Sequence, residues 1–402
     1  MEPDESSGLS PLFFRFLLSK AISTIIFELF TVYFIWIVVV RFQSVFLAGM
    51  IATIYLIVQL VSSIPIGHAI DRFNNTTMSF ASSIIMLAGL SILLTGFSIL
   101  MIYTVTAIIS LGNTIKGDSF AAIIKKHVHK DFIGKATSVN QGVVSASDLI
   151  GILMGGIAIL FLTAYLPYIL ILLCAVSLIS AIPAGEQKNK PESAGERMGY
   201  SNVFAFYRKI IGFILFGFVI NGLFVSLSVY SSGIFHIFLK TTPAFYTAFI
   251  AAIPLGMIIG SYVAGTQMKR IDRPAIIAFF IVMYAPLILI IGLSHSPVLD
   301  VAASFLMGLI NPVINVPISA RLVRITPHEI FGRIFAFLRI FIGGSTPVMA
   351  AVFSFLALFY TVNNVLVAVG FFVFPFSLLG FVVLKAFFKL ESTSALSKEE
   401  GA

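Results

Sequence analysis

The chain has 402 residues, of which 59% are hydrophobic and only 10% charged, with a formal net charge of +8. Soluble domains carry about 25% charged residues, so this sequence lacks the polar coat of a water-soluble fold and its solvent is lipid. Cys174 is the single cysteine, which excludes an intramolecular disulfide and any cysteine-based metal site, and no cofactor is expected.

A helix that crosses a bilayer needs about 20 mostly apolar residues. Twelve segments meet that requirement: 12–38, 43–67, 76–96, 98–122, 134–161, 164–184, 204–234, 243–266, 274–293, 297–320, 330–358 and 362–388. The predicted class is therefore an all-α integral membrane protein. The first segment follows Glu2, Asp4 and Glu5 rather than a basic stretch. It is also long for a signal peptide, so it reads as a retained span. The run 76–122 is long enough for two spans and is divided near Gly96–Ser98.

Residues 185–201 mix Gly, Pro and charges of both signs and read as a flexible linker. They separate an N-terminal half, 1–184, from a C-terminal half, 202–390. Residues 391–402 are expected to form a disordered tail.

Nineteen Lys and Arg residues fall in the even-numbered loops, the linker and the tail, against two, Arg41 and Lys240, in the odd-numbered loops. By the positive-inside rule both termini are cytoplasmic and the helix count is even. Basic residues confined to short loops on one side also argue against a nucleic-acid partner. Membrane lipid is the expected surrounding, in a cell membrane, with the chain a monomer.

Two short signatures occur twice. Ile-Asp-Arg stands at 70–72 and 271–273, and acidic-x-x-Gly-basic at Asp131–Lys135 and Glu329–Arg333, with offsets of 201 and 198 residues. Two such similar offsets describe one multi-helix unit used twice in the same orientation, the plan of a large class of secondary transporters.

Several segments carry polar stripes. The first has Lys20, Thr24, Glu28 and Thr31 at steps of four, four and three; the fourth has Thr106, Ser110, Asn113 and Gly117; the seventh has Asn221, Ser228 and Ser232. The tenth has Ser304, Gly308, Asn311, Asn315 and Ser319, interrupted by Pro312 and Pro317. Such stripes are costly against lipid and are expected to face inward. Phe27, Phe218 and Phe224 border them and are candidates for an apolar, adaptable lining.

Glu28 lies near the middle of its span. An ionised carboxylate there costs several kcal/mol unless compensated, so such a group binds a proton or keeps a cation close. Lys20, eight positions away and about 12 Å along the helix, is not obviously within direct reach. Asp148 in the fifth segment is a second proton-coupling candidate, with a structural contact to Arg339 as the alternative. Lys116 and Asp118 are expected to snorkel to the interface, and His236 and Asp300 to be solvated at outer ends.

The loop after the second segment contains Gly67-x-x-x-Asp71-Arg72, which resembles the loop 2–3 signature of the major facilitator superfamily. In this sequence Asn74, Asn75 and Thr76 stand where that family usually has Gly and basic residues. The fifth segment's "GILMGG", with Gly151, Gly155 and Gly156, is similar to the family's antiporter signature with Ile152 in place of Pro. "FFRFLLSKAISTIIFELFTVYFIWIV", "HKDFIGKATSVNQ" and "TPHEIFGRIFAF" resemble the macrolide-efflux and enterobactin-exporter branch. The resemblance covers about residues 12–388. It implies twelve helices in two six-helix halves, with helices 1, 4, 7 and 10 lining a central cavity. It also implies gating loops at Gly67, Asp71 and Arg72, at Asp272 and Arg273, at Gly134 and Lys135, and at Gly332 and Arg333.

The function expected is a proton-coupled exporter of hydrophobic or amphipathic small molecules, a permease of antiporter type. The alternative is an uptake carrier or facilitator for a polar solute; a polytopic membrane enzyme is the remote one. No Walker loop, H-E-x-x-H or D-D-x-x-D occurs, so the chain carries no motif for nucleotide or metal-assisted chemistry.

Overall fold

In lipid the polar groups of the backbone have only one another to bond to, so long apolar runs become helices. The structure is a computed structural model that describes residues 10–128, 133–183, 200–326 and 331–399. Its long helices are α1 (Pro11–Phe42), α2 (Val45–Arg72), α3 (Asn75–Ser91), α4 (Ile99–His127), α5 (Ile133–Phe161), α6 (Leu166–Ser180), α7 (Tyr200–Gly233), α8 (Pro243–Thr266), α9 (Pro274–Leu293), α10 (Pro297–Ile325), α11 (Phe331–Leu356) and α12 (Val362–Glu399). A single-turn helix, Met268–Ile271, precedes α9. Ten helices are long and apolar enough to cross a membrane; α6 and the apolar stretch Ile340–Leu356 of α11 are shorter. The chain is a multi-pass membrane protein.

Local chemistry sets the helix starts. Ser10, Ser44, Asn74 and Ser98 cap α1, α2, α3 and α4, each side-chain oxygen accepting from a backbone N–H of the first turn. Each cap satisfies one of the donors a helix start leaves open. Proline opens α6, α8, α9 and α10 instead, where its missing N–H costs nothing. The run 76–122 does divide where expected. A 3₁₀ turn ends at Thr95, and Gly96 takes φ 150°, ψ −162°, a conformation available essentially to glycine alone.

Contacts divide the chain into two compact units, Met1–Ser193 and Ala194–Ala402. Within the first, α1 packs on α5 and α6, α4 packs on α2 and α3, and α3 packs on α6. Within the second, α7 packs on α11 and α12, α10 packs on α8 and α9, and α9 packs on α12. Adding six to each helix number converts one list into the other. The opening helix of each unit is also followed by a non-glycine residue with positive φ, Gln43 at 50° and Lys240 at 52°.

Two expectations need correction. The last helix continues to Glu399, so 391–399 are helical where disorder was expected. Ala, Leu, Lys and Glu are good helix formers, and no Gly or Pro intervenes. The Gly67–Arg72 signature belongs to the last turns of α2 rather than to a loop, and Gly134–Lys135 and Gly332–Arg333 begin α5 and α11. Asp131, Glu329 and residues 184–199 lie outside the described residues.

Candidate functional site

A group of ionisable side chains in the first unit is built on α1 and α5, and the glycine signature explains how these helices meet. A Cβ at Gly151 would lie 2.7 Å from Glu28 Cβ and 2.8 Å from the carbonyl oxygen of Ile25. A Cβ at Gly155 would lie 3.0 Å from Val32 and 3.3 Å from the carbonyl oxygen of Leu29. The Gly151-x-x-x-Gly155 face is thus the seat of α1, the close approach that small residues permit between helices in membranes. Ile152, where the family pattern has Pro, is buried.

Glu28 is half-buried at that seat. Among the described residues no hydrogen bond or ion pair reaches its carboxylate. It lies close enough to Asp148 on α5 for their charges to interact, and Asp148 in turn interacts with Lys20. Lys20 does not pair with Glu28. Its Nζ donates to Asn140 Oδ1 of α5 at 2.9 Å and stands 5.3 Å from the centre of the Phe120 ring. It also feels Asp118. Phe27 packs edge-on to Tyr55 of α2, with ring centres 5.4 Å apart, and Tyr55 is within electrostatic reach of Glu28. The group therefore gathers Lys20, Glu28 and Asp148 with Asn140 and Tyr55. The last two were not singled out from the sequence. A tyrosine in the apolar middle of α2 was the available signal for one of them.

Several other stripe residues are spent on packing. Thr24 is buried, and Thr31 donates to its own helix at the carbonyl of Phe27. Thr106 and Ser110 are buried, and Ser110 donates to the Tyr55 carbonyl, so that part of the α4 stripe faces α2. Asn113 is part-buried. In the second unit Asn221 ties α7 to α11, donating to the Ile342 carbonyl at 3.1 Å and to Ser345 Oγ at 3.2 Å. The α10 stripe splits: Ser304 is buried against the Phe249 carbonyl of α8, whereas Asn315 is exposed and donates to Asn311. Phe218 packs on Phe341, and Phe224 on Tyr284.

Two expectations fail on burial. Lys116 does not snorkel; it is 0% exposed and bonded inside the unit. Asp300 is not solvated; it is fully buried in the first turn of α10, near Ser294, where a helix N-terminus favours an acid.

Among the gating positions, Arg72 is exposed and Gly67 has open space around it. Asp272 accepts a hydrogen bond from Arg321 of α10 at 3.1 Å, and the Arg321 guanidinium lies 3.6 Å from the centre of the Phe388 ring. The side chains of Asp71, Lys135, Arg333 and Arg339 lie outside the described residues. Arg321→Met is expected to cost about 1–3 kcal/mol, the sum of a largely buried ion pair and a cation–π contact. A fall in melting temperature of the purified protein is the check, and an unchanged melt would contradict it.

A family model described as Major Facilitator Superfamily matches residues 16–254, more than half of the chain. No curated protein matches it in sequence. Similar solved structures include a mutant of the peptide transporter POT in complex with alafosfalin, 16% identical over 94% of this chain and 95% of that one, with a TM-score of 0.73. A bacterial homolog of the human lysosomal transporter Spinster, inward-facing and unoccupied, is 12% identical over 95% and 99%, with a TM-score of 0.70. A mutant of the nucleoside transporter NupG is 11% identical over 94% and 99%, with a TM-score of 0.72. At these identities the likeness is one of fold.

Proposed function

The chain belongs to the Major Facilitator Superfamily, a family of transporters, and on that premise we propose that it is a proton-coupled exporter of hydrophobic or amphipathic small molecules. It works in the cell membrane with both termini cytoplasmic, exposing its site alternately to the two sides. The observation that carries this reading is Glu28, seated on Gly151 with Asp148 and then Lys20 beyond it. Two carboxylates near one ammonium in an apolar surrounding hold a proton between them at lower cost than two full negative charges. Loss and gain of that proton on opposite sides of the membrane couples the site to the proton gradient. The aromatic pair Phe27–Tyr55 beside Glu28 supplies adaptable apolar surface of the kind a hydrophobic substrate needs.

Polar groups beside Glu28, namely Lys20 and Asn140, favour a second reading, uptake of a polar solute. Peptide and nucleoside transporters share the fold. Direction separates the two. In vesicles with the cytoplasmic side outward and an acidic interior, the exporter loads a lipophilic cation into the vesicle. A carrier that moves solute together with protons drives solute out, and that result would overturn the proposal.

A further inference from the structure

Lys116 is a fully buried ionisable group of the first unit that the site on α1 and α5 leaves without a role. It is 0% exposed, on α4. Its Nζ donates to Ser19 Oγ of α1 at 2.9 Å, to the Ser79 carbonyl of α3 at 2.6 Å and to Ser83 Oγ of α3 at 2.6 Å. An ammonium has three N–H donors and no acceptor, and three oxygens take all three. No carboxylate among the described residues lies within ion-pair distance of it. A charge held this way in an apolar interior depends on those oxygens, because without them its burial is prohibitive.

The cage extends to a fourth helix. Ser19 Oγ donates to the Ser177 carbonyl of α6 at 2.8 Å, and Ser177 Oγ donates back to the Ser19 carbonyl at 3.0 Å. Ser23 Oγ lies 3.1 Å from Ser177 Oγ. Ser19, Ser23, Ser83 and Ser177 are all 0% exposed. Helix α1 is therefore gripped at two places. The serine cage holds it at Ser19 and Ser23. The glycine seat of α5 holds it at Ile25 and Glu28, six and nine residues beyond Ser19, or about 9 and 13.5 Å along the helix.

We propose that Lys116 is a tethered resident cation whose oxygen cage fixes the rotation and register of α1, and thereby positions Glu28 against Gly151. Lys116 acts through α1 and touches neither proton donor nor substrate. The role given to Glu28 rests on the function proposed above; the cage does not.

Lys116→Ala removes three methylenes and the ammonium, a void the size of propylammonium. The purified variant is expected to melt lower than the parent, and millimolar propylammonium to recover at least half of the loss, while neutral 1-propanol recovers none. In reconstituted vesicles the folded variant is expected to move fewer protons per molecule of substrate, at least threefold fewer, a ratio that lowered stability alone does not change. Recovery no better with propylammonium than with 1-propanol, or an unchanged proton ratio, overturns the proposal. Should Lys116→Ala yield no folded protein, Ser19→Ala removes one cage oxygen and keeps the lysine. The same two losses, in melting and in proton ratio, are expected of it, and their absence overturns the proposal equally. Full proton coupling in Glu28→Gln would instead remove the role of Glu28, and the amine rescue would still decide whether the cage is built for a cation.

Discussion

Glu28→Gln is expected to reduce proton-driven transport to the rate of empty vesicles while leaving a folded protein. Glutamine keeps the volume and the capacity for hydrogen bonding, so the seat on Gly151, which meets Glu28 at its Cβ, stays filled. What is lost is one of the two carboxylates that share the proton, the one seated on Gly151. Asp148→Asn is expected to be milder. It removes a neighbouring charge that interacts with both Glu28 and Lys20, and so alters the balance of the site without removing Glu28 itself. Proton flux and substrate flux are measured together in reconstituted vesicles, with size-exclusion chromatography as the check on folding. Full coupled transport in Glu28→Gln, or a total loss in Asp148→Asn alone, would reverse the order of importance given to the two acids.

Gly308→Ala is expected to be the most destabilising single methyl in the second unit. A Cβ there would stand 2.1 Å from the Ile253 carbonyl oxygen and 2.9 Å from that residue's carbonyl carbon and Cα. The facing glycines of α8 are in the same position: a Cβ at Gly256 would meet the Phe305 carbonyl oxygen at 2.3 Å, and one at Gly260 the Leu309 carbonyl oxygen at 2.2 Å. In each case the obstacle is backbone, which cannot rotate aside as a side chain does, so one helix must move bodily. Overpacking costs about 1–3 kcal/mol where side chains can adjust, and Gly308→Ala belongs at or above the top of that range. Gly265 on the same α8 has nothing within 4 Å of a Cβ. Gly265→Ala is therefore expected to be neutral or to stabilise by up to about 1 kcal/mol through helix propensity. Melting of the purified variants decides; equal melting of Gly308→Ala and Gly265→Ala would contradict a backbone-to-backbone seam between α8 and α10.

The spans and the doubled unit were legible because lipid imposes length and apolarity on every crossing helix, and because short polar signatures between spans stand out. The division at Gly96 was legible from length, and its cause, a glycine-only conformation, agrees. The partners of buried polar groups were not legible. Lys116 stands six residues from the end of the predicted span 98–122, where a lysine usually reaches for water, whereas α4 continues to His127. The oxygens that hold it come from Ser19, Ser79 and Ser83 on two other helices, and no periodicity along α4 announces them. Arg321 was read as one of many basic loop residues, although it is the partner of Asp272. One signal was present and unused. Gly256-x-x-x-Gly260 is the small-residue spacing that lets helices touch, and it marks the tightest seam of the second unit. Gly151-x-x-x-Gly155 has the same spacing, and the close approach expected of its glycines is what α1 and α5 show.

The central claim is that a proton bound at Glu28 drives the export of a hydrophobic compound. Its most direct test reconstitutes the chain in vesicles carrying a pH-sensitive dye, with a panel of lipophilic cations, macrolides and catechol-type chelators. The account predicts that at least one compound elicits proton movement opposite to its own, and that Glu28→Gln abolishes the response. Counterflow of a compound with no proton movement would contradict it, and would make the protein a facilitator in which Glu28 serves binding or structure.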